Sequence, residues 1–272
     1  MNSARNHQGR IIKAHEYQLE KHGNIYCIDK KCNSPLVYVS ATENTSSYFK
    51  TTGKGDSIHH EACAFARPLT FEESLNKVQE LQTEFIEKNI PPVMIRLNLN
   101  RIDPDYEPRS VDREQKPFDP TKVVVKGNSS TTSSISSLKA IVKLIELNQP
   151  DLLASVMLTI KGKKIPLTEL IITPEEAFDL LWKNQLHDTV PYFVYGTIKQ
   201  FIKREKVYFI SFHTEKKFSL VVFEKYFPHF TFSKGQLENK KILAYGFLKK
   251  NDYNGRAVEM AIKSNSYLDF LR

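Results

Sequence analysis

Three cysteines occur in this 272-residue chain, and all lie between Cys27 and Cys63. Cys27 and Cys32 form a C-x4-C pair across the polar stretch "IDKK", and Cys63 follows His59 and His60 in "DSIHHEAC". Zinc takes four soft or borderline ligands in a tetrahedron, usually as two close pairs. On a helical reading of "SIHHEACAFA" either histidine lies on the face of Cys63, and the i, i+4 spacing favours His59 over His60. The expected ligand set is therefore Cys27, Cys32, His59 and Cys63, with His60 the alternative fourth ligand. Four protein ligands close the shell, so the ion has a structural role and no position open for catalysis. The competing reading is three ordinary buried thiols beside two surface histidines. The "IDKK" turn is placed to offer backbone N–H groups to the thiolates.

No Ser-His-Asp, Cys-His or G-x-G-x-x-G arrangement is readable. "PDYEPRSVDREQK" contains Asp105 followed by Glu114 and Lys116, the residue types of a Mg²⁺-dependent nuclease site. Pro117 and the surrounding Asp, Arg and Pro make that stretch read as a solvated loop. "VVVKGNSSTTSSISS" lacks the Lys-Ser/Thr closure of a phosphate-binding loop, because Lys126 precedes the glycine.

The charge is unevenly spread. From Tyr192 to Arg272 there are 15 Lys and Arg against 7 Asp and Glu, so the whole formal charge of +8 lies in the last third. A basic module on a neutral body points to a polyanion, nucleic acid first and an acidic membrane surface second. No apolar run is long enough to span a membrane. The first residues lack a signal-like apolar core, and three cysteines make no disulfide framework, so a reduced, cytoplasmic setting is expected.

The elements that must position these groups divide the chain into three. Residues 1–68 form a zinc-stapled module with a polar lead-in and the β-rich runs "LVYVSA" and "SYFKTT". Residues 69–190 form a mixed α/β middle with a Pro/Asp-rich linker at 103–120. There Thr70 and Glu73 make a capping box, and Phe71, Leu75, Val78, Leu81 and Phe85 recur at helical spacing. "SVMLTIKGKKIPLTELII" reads as a hairpin turning at Lys161-Gly162-Lys163. Thr173 and Pro174 start a further helix. Residues 191–272 hold five strand-like segments with the longest connection between the third and fourth, the outline of a five-stranded OB-like β-barrel. The fold class expected is multidomain α+β.

This last region resembles the OB-fold nucleic-acid-binding superfamily, with Gly196-Thr197-Ile198 on the first strand and Gly246-Phe247-Leu248 on the fourth. Both glycines are expected where a small barrel bends. The N-terminal region resembles the zinc module of CoiA-like competence proteins: a polar lead-in, a cysteine pair, a β-hairpin and a histidine-containing second pair. It departs from them in pairing His with Cys63. That resemblance brings in a metal-dependent nuclease, or its accessory subunit, as an alternative function. The expected function is non-catalytic binding of nucleic acid, single strands preferred. Lys203, Arg204, Lys206, Lys216, Lys217, Lys249 and Lys250 are expected to meet phosphates, and Phe209 to stack on a base. Tyr208, Ile210 and Phe212 form the face assigned to the core. A protein-interaction module is the third reading.

Overall fold

The polar tetrapeptide Ser3–Asn6 is strand β1, and all four of its residues are buried in the computed structural model, which describes residues 1–107, 134–146, 149–186, 189–253 and 255–271. β1 lies between β2 (Ile11–Lys13) and β3 (Ile25–Tyr26). The short helix α1 (Leu19–His22) separates those two in sequence. β4 (Pro35–Val39) and β5 (Tyr48–Lys50) pair as a hairpin and complete the order β2-β1-β3-β4-β5.

α2 (Phe71–Glu87) opens with the expected capping box. Thr70 accepts from the Glu73 amide, and the Glu73 carboxylate accepts from the Thr70 amide at 2.9 Å. Its apolar stripe, Phe71, Leu75, Val78, Leu81 and Phe85, is buried. A second sheet combines β6 (Val93–Leu97), β7 (Ser134–Ile135), β8 (Val156–Ile160) and β9 (Lys163–Pro166) in the order β7-β6-β8-β9, with β6 parallel to both of its neighbours. α3 (Leu138–Glu146) and α4 (Pro150–Leu153) lie between β7 and β8 in sequence. Lys161 and Gly162, with φ of +48° and +82°, form the two-residue turn joining β8 to β9. Positive φ at both central residues suits a two-residue hairpin, and Gly162 supplies it without the steric cost carried at Lys161.

α5 (Leu167–Leu170), β10 (Ile171–Ile172) and α6 (Pro174–Trp182) lead into the third sheet. α6 has its own capping box, from Thr173 and Glu176. The strand-like segments fall on β11 (Tyr192–Lys203), β12 (Val207–Phe212), β13 (Phe218–Phe223), the consecutive β14 (Lys241–Gly246) and β15 (Leu248–Asn251), and β16 (Ala257–Ala261). α7 (Lys234–Leu237) sits in the long connection, and β17 (Leu268–Phe270) ends the described chain. The sheet therefore has eight strands, not five: β10 adds parallel to β11, and β17 adds antiparallel to β14. The twelve-residue β11 has room for this. Its first half pairs with β14 and its second half with β12, the register shifting between Ile198 and Gln200.

Gly196 and Gly246 are glycine because of close approach. A Cβ on Gly196 would lie 2.9 Å from a ring carbon of Phe212, and one on Gly246 would lie 2.7 Å from Met260 Cγ. Buried neighbours thus leave no room for a side chain at either position, and Gly246 also directly precedes the break between β14 and β15.

Arg5 joins the first sheet to α2. It is 6 % exposed, forms a two-pronged ion pair with Glu84 and donates from Nε to the Ile28 carbonyl at 2.8 Å. Lys88 and Lys30 also reach Glu84, at 3.2 and 3.4 Å, and Lys77 pairs with Asp29 at 3.1 Å. The Arg5 hydrogen bonds hold the Glu84 carboxyl at about 2. A carboxyl depressed in the folded state stabilises above its unfolded value of about 4.3 and loses that contribution as pH falls through its folded value. Stability should therefore fall between about pH 5 and pH 2, and Glu84→Gln should flatten that slope in urea titrations. Arg5→Ala, which strands a buried carboxylate, should cost about 3–5 kcal/mol at neutral pH. A loss indistinguishable from an exposed Lys→Ala change would show that the pair is not the tie described.

Candidate metal centre and basic sheet face

The chain turns sharply after β3. The Cys32 and Asn33 amides both donate to the Asp29 carbonyl at 3.0 Å, Asn33 has a φ of +48°, and the Cys27 amide donates to the Ser34 carbonyl at 2.8 Å. This places the Cys27 and Cys32 thiols on one side of a tight loop. After the β4–β5 hairpin, residues 59–66 form turns rather than the helix considered from sequence. The Cys63 amide donates to the His60 carbonyl at 2.8 Å, and the Ala66 amide to the Cys63 carbonyl at 3.0 Å. These turns aim His59 inward, half-buried, and leave His60 exposed.

The ligand atoms of Cys27, Cys32, His59 and Cys63 converge within 4.8 Å of one another and can hold a metal ion. Cys27 and Cys63 sulfurs are 3.7 Å apart, and His59 Nδ1 lies 3.4 Å from Cys32 Sγ and 3.6 Å from Cys63 Sγ. The thiols are 0–4 % exposed. Polar groups surround them: Ser34, whose hydroxyl donates to the Ile58 carbonyl at 2.6 Å, has its Oγ 3.2 Å from Cys32 Sγ, and the Phe65 amide donates to Cys63 Sγ at 3.4 Å. The Asp29 amide serves Cys27 in the same way, as the polar turn suggested. Donors at this range stabilise thiolate charge and orient metal ligands. Cys27 and Cys63 compete for one proton. Their mutual hydrogen bond lowers Cys63 to about 7, while that bond and burial push Cys27 up. Burial lowers His59, favouring the neutral imidazole that a metal requires.

The basic residues separate into two groups. At the β11–β12 turn, Lys203 lies over the rings of Phe201 and Tyr208 at 5.3 and 5.2 Å, Arg204 lies over Phe209 at 5.6 Å, and Lys206 is exposed. Tyr208, Ile210 and Phe212 point into the core, where Tyr208 stacks on Phe227 with 3.7 Å between centroids. Phe209 lies on the opposite face and is half-buried, beside Ile202 and Val221 on the adjacent strands.

The second group gathers against α6. Lys216 pairs with Asp179 at 3.1 Å and lies over Phe178 at 5.2 Å. Lys250 donates to Asn184 at 2.6 Å, and Lys250 and Arg256 both lie 5.2 Å from the Trp182 ring. Lys217 and Lys249 stand apart from this group. Lys217 is exposed, with its carbonyl accepting from the Val258 amide at 2.8 Å. Lys249 is exposed opposite Glu259, where the register through Ser219 to Ser211 puts it on the Phe209 face. The structure thus does not bring Lys216 and Lys250 to the Phe209 face. Phe178 and Trp182 were not singled out from sequence. Trp182 is the one tryptophan of the chain, at the end of an amphipathic helix, and that was the available signal.

Glu114 and Lys116 lie outside the described residues, as does most of the 103–120 stretch and all of "VVVKGNSS". Asp105 is not free for a metal. It accepts from the Tyr226 hydroxyl, from Lys263 at 3.0 Å and from Lys225 at 3.2 Å, and these hold its carboxyl below the usual range. Among the described residues, no helix is long and apolar enough to cross a membrane.

Residues 1–87 match a family described as a domain of unknown function (DUF7828). That stretch includes the whole Cys/His cluster and ends with α2. A search of curated proteins returns no significant match.

The two faces of β12 should separate in stability measurements. Tyr208→Ala, which removes a half-buried ring stacked on Phe227, should cost about 2–3 kcal/mol, and Phe209→Ala clearly less. Equal losses in urea unfolding would place both rings in the core.

Proposed function

We propose that this chain is a non-catalytic nucleic-acid-binding protein, preferring single strands, in which a structural zinc site supports the N-terminal module and an OB-like barrel carries the binding face. The observation that carries this reading is the pairing pattern of the third sheet. β11, β12 and β13 form an antiparallel meander, and β13 runs parallel to β16. β14 and β15, separated only by Phe247, pair with β11 on one side and β16 on the other. The eight-stranded sheet is open, but if β14 and β15 are taken as one bent strand, they would link β16 to β11 in a five-stranded cycle, with β10 and β17 as additions. That arrangement, with 3₁₀ and α turns in the connection from β13 to β14, is what the OB-fold resemblance implies.

On this barrel, the outer face of β12 presents Phe209 with Arg204 over its ring, Lys206 is exposed at the adjoining turn, and Lys203 lies on the opposite face over Phe201 and Tyr208. A ring flanked by cations is the combination that grips a strand through base stacking and phosphate contacts. The cations beside Trp182 belong to a second basic surface.

Zinc is supported by the ligand set and its dimensions. With Zn–S of about 2.3 Å and Zn–N of about 2.0–2.1 Å, a tetrahedron has edges of about 3.8 Å between sulfurs and about 3.6 Å from sulfur to nitrogen. Three of the six separations in the cluster, 3.7, 3.4 and 3.6 Å, fit those edges, and all six are within 4.8 Å. Cys27, Cys32 and Cys63 would bind as thiolates and His59 through Nδ1, closing the shell.

Elemental analysis of protein purified without chelators should find about one zinc per chain. Cys32→Ser and His59→Ala should lose it, and His60→Ala should keep it. Metal-free wild-type protein would remove the zinc proposal.

Binding of the full chain to labelled oligonucleotides should weaken with salt, by about 0.7 in log affinity per log salt for each phosphate neutralised on a single strand. Replacing Lys203 and Lys206 together by Ala should flatten that slope by roughly one unit, whatever the base sequence. Phe209→Ala should cost about 1–3 kcal/mol of binding and leave the slope unchanged. A folded chain with no salt-sensitive binding to any single strand would end this reading and favour a protein partner for the barrel.

A further inference from the structure

β6 and β8 are parallel neighbours, yet the next strand after β6, β7, lies on its other side. Where connections diverge in this way, a crevice opens outside the carboxyl ends of the two strands, and ligands of open parallel sheets bind there. In this chain a cavity of about 630 Å³ lies at that position. One wall is the ends of β6 and β8, with Arg96, Asn98, Thr159 and Lys161. The other comes from Tyr245 on β14, Phe247 at the break before β15, and Tyr267 in the 3₁₀ turn before β17.

The lining is chemically specific. Arg96 is the cross-strand neighbour of Thr159, two residues before Lys161, so the two cations share one edge of the cleft. Arg96 is exposed, and its guanidinium has no hydrogen-bond or ion-pair partner among the described residues. Lys161 lies 5.1 Å from the centre of the Phe247 ring, which is 41 % exposed at the break between β14 and β15. The carboxylate in the cleft, Asp103, is already held by Lys263 at 2.7 and 3.0 Å. It therefore leaves Arg96 and Lys161 uncompensated. Burial raises Tyr245 to about 12 and pushes Tyr267, which is hydrogen-bonded to Asp103, higher still.

We propose that this cleft binds a nucleoside phosphate, with its base against Phe247 and its phosphate on Arg96 and Lys161. The volume is within the range of about 300–1,000 Å³ typical of small-molecule sites. Asn98 and Thr159 supply amide and hydroxyl groups for a sugar or base edge. Arginine and lysine without carboxylate partners suit phosphate, and an exposed ring suits a base. The same chemistry is offered by a free nucleotide and by one nucleotide of a single strand. Neither Lys203, Arg204 nor Phe209 lines the cleft, so this site is independent of the barrel face proposed above.

The test uses the full chain with two probes, N-methylanthraniloyl-ADP and a short labelled oligothymidylate. It compares wild type with Arg96→Gln, Phe247→Ala and Lys203→Ala. Arg96 and Phe247 are exposed, so their variants should melt with the wild type. Nucleotide binding that weakens about tenfold in Arg96→Gln and Phe247→Ala, but not in Lys203→Ala, supports the site with a free nucleotide as its ligand. If only the oligonucleotide binds, and the same two variants weaken it, the site holds and its ligand is part of a strand. Failure of the barrel reading would appear separately, as oligonucleotide binding indifferent to Lys203→Ala. If the two cleft variants melt normally and neither changes the binding of either probe, or if neither probe binds at all, the inference is overturned.

Discussion

The buried pair of Arg5 and Glu84 is the constraint on which the N-terminal half depends. Removing both charges from water carries a desolvation cost that is offset only by good geometry and further hydrogen bonds. The guanidinium meets the carboxylate with two prongs, and its remaining Nε–H serves the carbonyl of Ile28, next to Cys27. One side chain therefore sets the position of β1, of α2 and of the loop that carries two cysteines of the cluster. Lys77 on Asp29 repeats the tie from the other side of that loop. The family match over residues 1–87 contains both partners of each of these pairs.

A second tie passes through Asp151. This carboxylate is 1 % exposed, and its Oδ2 accepts from the Asn2 and Ser3 amides, the latter at 2.8 Å. Burial pushes its pKa up, and the backbone donors work against that shift. β1 is thus gripped at both ends by carboxylates from distant helices, α2 and α4. The cluster of thiols and imidazole is consequently part of a larger polar framework, and a metal ion there would stiffen a loop already held from below.

The C-terminal sheet distributes its charge by a different rule. Cations at the β11–β12 turn lie over rings of the sheet itself, whereas Lys216, Lys250 and Arg256 are drawn to the aromatic face of α6. A net charge counted along the sequence treats these groups as one basic surface. The fold divides them, because an exposed ring attracts whichever ammonium or guanidinium its neighbouring turns can deliver. The connection between β14 and β15 has a similar effect on a smaller scale. It turns Phe247 outward, away from the core that its neighbours Gly246 and Leu248 join, and toward the cleft at the ends of β6 and β8.

Features encoded over a few residues were legible in the sequence alone. The capping boxes at Thr70 and Thr173, the buried stripe of α2, the hairpin turn at Lys161-Gly162 and the alternation of Tyr208, Ile210 and Phe212 depend on neighbours one to four positions away. The metal cluster was legible because cysteine is scarce and its spacing is chemically restrictive. Tertiary structure decided the rest. It chose His59 over His60 through turns at 59–66, and it assigned Gly196 and Gly246 to close packing against Phe212 and Met260. It buried "SARN", a sequence that looks like a solvated lead-in, because its partners Glu84 and Asp151 lie far along the chain. Local spacing sets which side chains share a face. Only the packed fold sets which distant charge removes the cost of burying one.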